Sequence, residues 1–525
     1  MKRAGIREWT ALGVLALPAL LITLDNTVLH LAVPHLSADI HPSGLQLLWI
    51  VDIYSFLIAG LLIIAGTLGD RVGRRRLLLI GAAGFGAASL LTAFSRNTEM
   101  LILSRALLGI AGATLMPSSM SLIRNMFFDA KQRSLAFSIW IACFLAGGAI
   151  GPLVGGAMLE HFWWGSVFLL GVPAMVLLLV VGPVLLPEYR DPNPGRIDLA
   201  SVGLLILTLL ATVYGLKKLA ADGFTSLPAG LLVLGLATGV VFGVRQGRLR
   251  HPLIDLGLFR ERSFSASLGT MAVALFVMSG SQLFVAQYLQ MVVGLSPLKA
   301  GLCSLPGSIG GVVGSLLAPL ALNRMRAAYV MTLGLGIALV GFGVLTQVDA
   351  GSGLVTVMIA IGLLNFGVAP TIALGTDMMI VSAPPEKAGA VSAVSETCQE
   401  IGLGTGIAII GSIGTAVYRN QVADDLSDQV PAESTPAIRD AIGSAVAEVS
   451  RLPQEIGAAT LSTVRESFTH ALQYVSIICT ALTALVVLAT PLLLRSVPAA
   501  SDGEGAAGAS AAPLDVADAA GPKNA

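Results

Sequence analysis

The sequence contains little charge, and this shortage limits what the chain can be. Asp, Glu, Lys and Arg make up 12% of its 525 residues, whereas soluble domains carry roughly 25%. The mean hydropathy is +0.83. Most of the surface must therefore face lipid, which excludes a soluble protein and predicts an integral membrane protein. The formal net charge is zero, so the charge balance indicates no nucleic-acid partner.

Several chemical signatures are also missing. The sequence has no GxxxxGK[ST] phosphate loop, which excludes ATP hydrolysis by that route, and no HExxH zinc motif. The cysteines lie in apolar segments without CxxC or Cys/His spacing, which is typical of small buried hydrophobic residues: Cys143, Cys303, Cys398 and Cys479. We predict no enzyme activity, no metal site and no cofactor. The energy source is then an ion gradient or the substrate's own gradient.

Long apolar runs are abundant instead. A transmembrane helix needs about 20 mostly apolar residues, and the runs are continuous rather than alternating, which excludes a β-barrel. The first run continues through Asp25 to Val33 without a small-residue cleavage site, so it is predicted to be an uncleaved helix. Fourteen spans are predicted at 10–33, 48–68, 77–95, 100–122, 136–159, 165–186, 197–216, 227–244, 264–289, 299–321, 328–348, 354–381, 389–417 and 468–494.

The loops between these spans differ in charge. With the N-terminus inside, most Lys and Arg fall in cytoplasmic segments, and the even number of spans places the C-terminus inside as well. Residues 418–467 are predicted to form a long outer loop, and residues 496–525 a disordered cytoplasmic tail rich in Ala, Gly, Ser and Asp. Helical spacing within the outer loop predicts an amphipathic helix that contains Ile438, Ile442, Val446 and Val449.

Carboxylates inside predicted spans are the most informative polar residues. A charged side chain at the bilayer centre costs about 2.5–3.5 kcal/mol on insertion scales. Such a group needs a water-filled cavity, an opposite charge, a proton or a cationic ligand. The carboxylates are Asp25, Asp52, Asp377, Glu396 and Glu400. A chain with these groups in a helical bundle is predicted to transport cations or protons.

The candidates for proton coupling are Asp25, Asp52, Arg105, Glu396 and Glu400. Glu396 and Glu400 are four residues apart and share one helix face, so their mutual repulsion favours a proton on one of them. Arg105 lies within a span and could hold Asp25 or Asp52 ionised, or form a static ion pair. Asp377 has an alternative reading as a helix-end residue near Lys387.

The candidates for substrate contact combine carboxylates with aromatic rings. Trp49 shares a helix face with Asp52, and such a pair suits a lipophilic cation, although interfacial anchoring is an equal reading of Trp49 and Tyr54. The full set is Asp25, Trp49, Asp52, Tyr54, Trp140 and Glu396. Trp140 belongs to an aromatic face with Phe137 and Phe144, for which packing is the ordinary explanation. Met271, Phe276, Met278 and Phe284 are expected to contact lipid, although their flexible or flat surfaces could also suit varied ligands. His30 is a further candidate for a proton role.

Two glycine-rich motifs carry a resemblance. The segment Gly66-Thr-Leu-Gly-Asp70-Arg71-Val-Gly73-Arg74-Arg75-Arg76, between spans two and three, resembles the signature loop of the major facilitator superfamily. Its glycines allow a tight turn, and Asp70 can pair with an arginine or cap the next helix. In span five, Gly147-Gly148-Ala-Ile-Gly151-Pro152-Leu-Val-Gly155-Gly156 resembles the superfamily's antiporter motif. The residues taken to govern conformational change are Gly66, Asp70, Arg71, Gly73, Arg74, Gly151, Pro152 and Gly155.

Further segments narrow the resemblance. Leu24-Asp25-Asn26-Thr27-Val28 and Leu48-Trp49-Ile50-Val51-Asp52 resemble spans one and two of fourteen-helix drug:proton antiporters, and Arg105 resembles the superfamily's buried arginine. A weaker echo of the signature loop, at 322–326, follows span ten rather than span eight. Two helices, spans seven and eight, are therefore inserted between the halves.

The resemblance implies an all-α major facilitator fold with two six-helix bundles plus two inserted helices. The predicted units are a first bundle at 1–196, an insert with a basic linker at 197–263, a second bundle at 264–495, and the tail at 496–525.

The resemblance also implies proton-driven multidrug efflux of lipophilic cations across the bacterial cytoplasmic membrane. The protein is predicted to be a monomer whose partners are protons, small cations and lipid. A dedicated exporter of one product, such as an antibiotic, is the alternative. A non-transporting membrane scaffold is a third hypothesis, against which the intramembrane acids argue.

Overall fold

A computed structural model of the chain describes residues 4–190, 198–222, 225–249, 252–254, 256–322, 324–350, 353–381, 388–426 and 430–494. Every regular element in these ranges is helical, and fourteen of the helical stretches are long and apolar enough to span a membrane, as predicted. The tail at 496–525, Lys387 and Asn323 of the loop echo lie outside the described residues.

Six spans form the first half of the molecule. They are α1 (Ile6–Ile40), α2 (Gly44–Val72), α3 (Arg74–Ala93), α4 (Thr98–Met126), α5 (Ala130–His161), and a sixth span made of α6 (Ser166–Leu169) and α7 (Gly171–Leu185). The inserted pair follows as α8 (Leu199–Asp222) and α9 (Ser226–Arg248).

The second half begins with α10 (Arg262–Gln287), which continues through a π-helical turn at Tyr288–Val292. It then contains α11 (Pro297–Cys303), α12 (Leu305–Leu322), α13 (Ala327–Leu345), α14 (Leu354–Val381), α15 (Ala388–Asp425), two short helices α16 (Thr435–Asp440) and α17 (Ile442–Val449), and α18 (Gln454–Leu494). Span ten, predicted as one helix, is divided at Ser304 into α11 and α12. Pro306 has no N–H to continue the backbone hydrogen bonds there, which explains the break.

The signature loop turns the chain within a single residue. Gly73 separates α2 from α3 and has a φ of 113°, a conformation open to glycine. Arg74 Nε donates to Asp70 Oδ1 over 2.8 Å, so Asp70 pairs with an arginine, one of the two predicted roles. Arg75 Nη1 donates to the carbonyls of Pro183 and Leu186 at the end of α7. We refer to this end of the bundle as the basic end.

The inserted pair is fastened at the same end. Arg245 Nε and Nη2 donate to the two carboxylate oxygens of Asp198 over 3.1 and 3.0 Å. These hydrogen bonds lower the pKa of Asp198 to about 2. Asp198 also accepts from the backbone N–H of Ser201 and so caps the start of α8.

α8 packs on both α2 and α15, against a small apolar cluster that contains Phe56, Val213 and Ala408. The insert therefore contacts both halves. The exact boundaries of the four predicted units stay a prediction.

The opposite end of the bundle contains the connection between α15 and α18, and we refer to it as the loop end. It contains more helix than predicted. The loop of 418–467 is shorter, since α15 runs to Asp425 and α18 begins at Gln454. These extensions bury Tyr418, Val422 and Val464, which gives the helices an apolar contact beyond the expected spans. The predicted amphipathic helix is two helices, because the extended backbone at Ala441 interrupts it.

The short helices join the two halves. The backbone N–H of Gly44, at the start of α2, donates to Asp440 Oδ2 over 2.9 Å. Arg419 of α15 forms an ion pair with the same carboxylate, and Tyr418 Oη donates to the carbonyl of Ile438 over 2.9 Å. Asp440 is thus shared by helices of both halves.

Replacing Gly73 with alanine tests the one-residue turn. A Cβ at Gly73 would collide with Glu188 and occupy a φ of 113°. We expect a loss of about 1–3 kcal/mol of stability, the typical range for a backbone conformation of this kind. The measurement is the melting temperature of the purified protein in detergent.

The matched control is Gly66→Ala, in the same loop motif but within α2, where an added Cβ meets no atom within 4 Å. This variant should melt at or slightly above the wild-type temperature, because alanine favours the helix. Equal melting temperatures for the two variants would contradict the proposed strain at Gly73.

Candidate functional site

The glycines of span five bring α1 close to α5. Gly151 and Gly155 lie against Thr27 and Val28, and a Cβ at Gly155 would be 2.5 Å from Val28 Cγ1. Larger residues would hold the helices apart. Pro152 also approaches the second half, where its carbonyl lies against Gly301 of α11. This packing holds α1, and with it Asp25, inside the bundle.

Asp25 forms an ion pair with Arg105 of α4. Arg105 Nη1 donates to Asp25 Oδ2 over 2.6 Å, and the exposed fractions of the two side chains are 0% for Arg105 and 11% for Asp25. Of the two partners predicted for Arg105, the structure selects Asp25. The Asp25 carboxylate keeps a small accessible surface, while the Arg105 guanidinium is fully buried.

Arg105 also holds α2 and an aromatic ring. Its Nε donates to the carbonyl of Ile50 over 3.2 Å, and its Cζ lies 4.6 Å from the centre of the Tyr54 ring. Among the described residues, Nη2 has no hydrogen-bond partner. His30 is buried near Arg105. Its Nδ1 likewise has no hydrogen-bond partner in the described part of the chain.

Glu400 belongs to α15 of the second half and lies next to α2 of the first half. Ser55 is placed to donate a hydrogen bond to its carboxylate, and Glu396, one turn earlier, is close enough to repel it. Its Oε2 is buried and has no partner within the described ranges. Tyr54 lies under the Arg105 guanidinium and near Asp25 and Glu400. The predicted carboxylates of both halves therefore meet around one stretch of α2.

Asp52 has a partner that sequence reasoning missed. Lys217 of α8 places its Nζ 2.8 and 3.0 Å from the two oxygens of Asp52, and both side chains are 0% exposed. The same Nζ lies 4.0 Å from the centre of the Trp49 ring, and the Trp49 and Tyr214 rings are 5.8 Å apart. Asp52 and Trp49, predicted to bind a cation together, thus enclose the chain's own ammonium group.

Lys217 was missed because the predicted span ended at residue 216. The pair Lys217-Lys218 after an apolar run reads as the flank of a loop. The available signal was the helical register. Lys217 lies three residues after Tyr214 and seven after Leu210, on the face that packs against Trp49 and Phe56.

The other aromatic candidates lie in the packed core. Trp140 is buried and stacks on Phe144 with ring centres 6.3 Å apart, while Phe137 packs against the same cluster. The expectation of lipid contact is wrong for Met271 and Phe284, which are buried. Phe284 stacks on Phe468 of α18 at 5.4 Å, because α10 faces α18 and α15 on its inner side. Phe276 and Met278 are partly buried against that core.

Asp377 is exposed, four residues before the end of α14 at Val381. The structure does not bring it to the group around Tyr54. Arg71 is also exposed, on the last turn of α2.

Buried charges between two helical halves, enclosed by fourteen apolar spans, are features of a multi-pass membrane transporter. The sequence profile of the Major Facilitator Superfamily matches residues 15–407. The chain belongs to this superfamily.

Curated relatives cover most of the chain. It is 44% identical over 466 residues to the multidrug efflux pump LfrA of Mycolicibacterium smegmatis, covering 89% of this chain and 92% of LfrA. It is 34% identical over 469 residues to the methyl viologen resistance protein SmvA of Salmonella typhimurium, covering 88% and 93%. It is 30% identical over 454 residues to the tetracenomycin C resistance and export protein of Streptomyces glaucescens, covering 86% and 83%.

A solved structure agrees in fold. The crystal structure of a bacterial homologue of the human lysosomal transporter Spinster, inward-facing and unoccupied, matches with a TM-score of 0.68. The match covers 94% of this chain and 98% of the other at 18% identity, so the likeness concerns the fold alone.

The Asp52–Lys217 pair predicts a non-additive effect on stability. Asp52→Leu leaves the Lys217 ammonium buried without its carboxylate, which should cost about 3–5 kcal/mol. The double variant Asp52→Leu/Lys217→Met removes both charges and should recover most of that loss. The measurement is thermal unfolding of the purified variants, and a double variant no more stable than Asp52→Leu would contradict the prediction.

Proposed function

We propose that this chain is a bacterial inner-membrane antiporter that exports lipophilic cations, such as quaternary ammonium compounds, dyes and antiseptics, in exchange for protons. The observation that carries the proposal is the meeting of charges around Tyr54. Arg105, which pairs with Asp25, lies over the Tyr54 ring, and Glu400 of the other half lies near the same side chain. In this proposal, a change in the charge of either carboxylate alters the electrostatics where the two halves meet.

Glu400 is the buried carboxylate whose negative charge is least balanced by its surroundings. An ionised carboxylate buried without a cationic partner is strongly disfavoured, and a proton or a cationic substrate removes that cost. Its Oε2 has no partner among the described residues, and Glu396 adds repulsion. Because a proton and a cationic substrate neutralise the same charge, binding of one excludes the other, which is the requirement for exchange.

Asp25 has a different role in this proposal. Its charge is already balanced by Arg105 at 2.6 Å. Proton uptake by Asp25 removes that attraction, and Arg105 is then held by the Ile50 carbonyl and the Tyr54 ring alone. The protonation of Asp25 thereby changes how tightly α1 is held to α4.

The relatives support drug export as the physiological task. The names of LfrA and SmvA describe multidrug efflux and methyl viologen resistance, and methyl viologen is a cation. The positive-inside rule favours a cytoplasmic location for the basic end of the bundle, in agreement with the topology predicted from the sequence. Protons would then enter from the loop end, and substrate would leave there.

Replacing Asp25 with asparagine tests the exchange. In inverted vesicles energised with a proton gradient and loaded with a pH-sensitive dye, ethidium should restore dye fluorescence with the wild-type protein. Asp25→Asn and Glu400→Gln should reduce this response to background, because neither side chain can exchange a proton. The amide that Asp25→Asn introduces still accepts the Arg105 hydrogen bond, so the protein should fold.

The matched control is Asp377→Asn, which removes an exposed carboxylate of the second half. Its response should equal the wild-type response. Thermal unfolding of each variant shows that loss of response is not loss of fold. A wild-type response from well-folded Asp25→Asn would contradict the role proposed for Asp25.

Export of one dedicated product is the second candidate function. The tetracenomycin C resistance and export protein, 30% identical over 86% of this chain, favours it. It predicts that a broad panel of cations gives no proton movement, whereas one neutral or anionic metabolite does. The same vesicle assay separates the two functions.

A further inference from the structure

Lys217 sits in a site that has the chemistry of a receptor for organic cations. Its ammonium group touches both oxygens of Asp52 at 2.8 and 3.0 Å and lies 4.0 Å from the centre of the Trp49 ring. A carboxylate on one side and an aromatic face on the other is the arrangement that attracts lysine, arginine and quaternary ammonium groups alike. Tyr214 stands beside Trp49 and extends the aromatic wall.

Packing of the insert does not require this charge. Phe56, Val213 and Ala408 already form an apolar contact between α8, α2 and α15. Removing an ammonium and a carboxylate from water costs several kcal/mol per ion, and apolar residues of similar volume often pack as stably. Lysine is also more strongly hydrated than arginine, so it is the less favourable cation to bury.

The site adjoins the carboxylates of the second half. Trp49, Asp52 and Ser55 follow one another at three-residue spacing on one face of α2. Ser55 is the residue placed to donate to Glu400. A cation that occupies the Asp52 site is therefore one helical turn along α2 from Ser55, the residue that lies next to Glu400.

Little empty volume adjoins Lys217 while it is paired with Asp52. A cavity of about 10 Å³ on its loop-end side is lined by Lys217, Gly44, Leu48, Ser412 and Arg419, among others. That volume has room for one water molecule at most. An organic cation can enter the Asp52 site only after the lysine side chain withdraws, which its four rotatable bonds permit.

We propose that Lys217 is a built-in competitor for the Asp52–Trp49 cation site, and that the cationic group of a substrate binds there by displacing it. Lys217 is then a residue that sets specificity, since only cations that outcompete a tethered ammonium gain the site. This inference rests on the proposed export of cations. It assigns to the inserted helix α8 a direct part in substrate selection.

Removal of the competitor is the first test. Tetraphenylphosphonium is the probe, and its equilibrium binding is measured on the full-length protein in lipid nanodiscs, with empty nanodiscs subtracted. Lys217→Met should bind it about tenfold or more tightly than wild type, a change equivalent to about 1.4 kcal/mol per tenfold. Lys217→Arg keeps a tethered cation and should bind as wild type does.

The double variant Lys217→Met/Asp52→Leu identifies the site. It lacks both the competitor and the carboxylate, so it should lose the gain of Lys217→Met. If Lys217→Met is folded and binds the probe no more tightly than wild type, Lys217 is only a structural partner of Asp52 and the inference is wrong.

A second measurement uses wild-type protein and is independent of how the variants fold. Acetic anhydride acetylates accessible lysines, and mass spectrometry reads each site. Acetylation of Lys217 should be low without ligand and rise as tetraphenylphosphonium saturates the protein, whereas the exposed Lys299 should react equally in both states. Unchanged acetylation of Lys217 at saturation overturns the displacement.

These outcomes are distinct from failure of the proposed function. If wild-type protein binds no tetraphenylphosphonium and moves no protons with any cation, cation export itself is wrong. If wild-type protein binds and exports the cation while Lys217 stays protected and Lys217→Met shows no gain, export stands and the role of Lys217 fails.

Discussion

A bilayer offers no water to an ionised side chain, and the arrangement of this molecule depends on how each buried charge is matched. Asp25 is matched within the first half, by Arg105 at 2.6 Å. Asp52 is matched from the insert, by Lys217. Glu396 and Glu400 are near each other, and the Glu400 Oε2 has no partner in the described part of the chain. The carboxylates of Asp25 and Asp52 thus have a cationic partner, whereas that of Glu400 has none in the described ranges, and we propose that proton and substrate exchange takes place at Glu400.

Close helix packing makes these pairings possible. The pairs join side chains from different helices, so their distances depend on how closely backbones approach. Span five achieves this with Gly151 and Gly155 against α1. Between the halves, Gly404 and Gly411 of α15 receive Phe56 and Leu48 of α2, where a Cβ would lie 2.8 and 2.6 Å from their side chains. Small residues and buried charges thus act together, since the former bring the latter within reach.

Hydropathy and motif spacing were sufficient to predict the fold. Fourteen spans, the two extra helices and the superfamily follow from apolar run length and from the segment Gly66–Arg76, both of which are local in sequence. The pairing of Arg105 with Asp25 could only be narrowed to two choices, because it depends on how α1, α2 and α4 are rotated about their axes. No local pattern carries that information.

Lys217 and the loop end show a second limit of sequence reasoning. A lysine after an apolar run is normally solvated, and its burial here is set by α2 and α15, which are distant in sequence. Phe284 was expected to contact lipid for a similar reason, since the apolar surface of a span is attractive to lipid and to other helices alike. Helices α15 and α18 continue past the predicted spans because α16 and α17 cover their apolar faces.

The short helices at the loop end have a pharmacological consequence. Asp440 holds the start of α2 and Arg419 of α15 at once, so that end cannot separate unless these contacts break. A groove of about 520 Å³ lies beside them, lined by His41, Gln46, Ser444 and Arg451, among others. A compound wedged into this groove would hold the halves together from the aqueous face. Such a compound would lie apart from the buried carboxylates, so it would not have to compete with a cationic substrate for them.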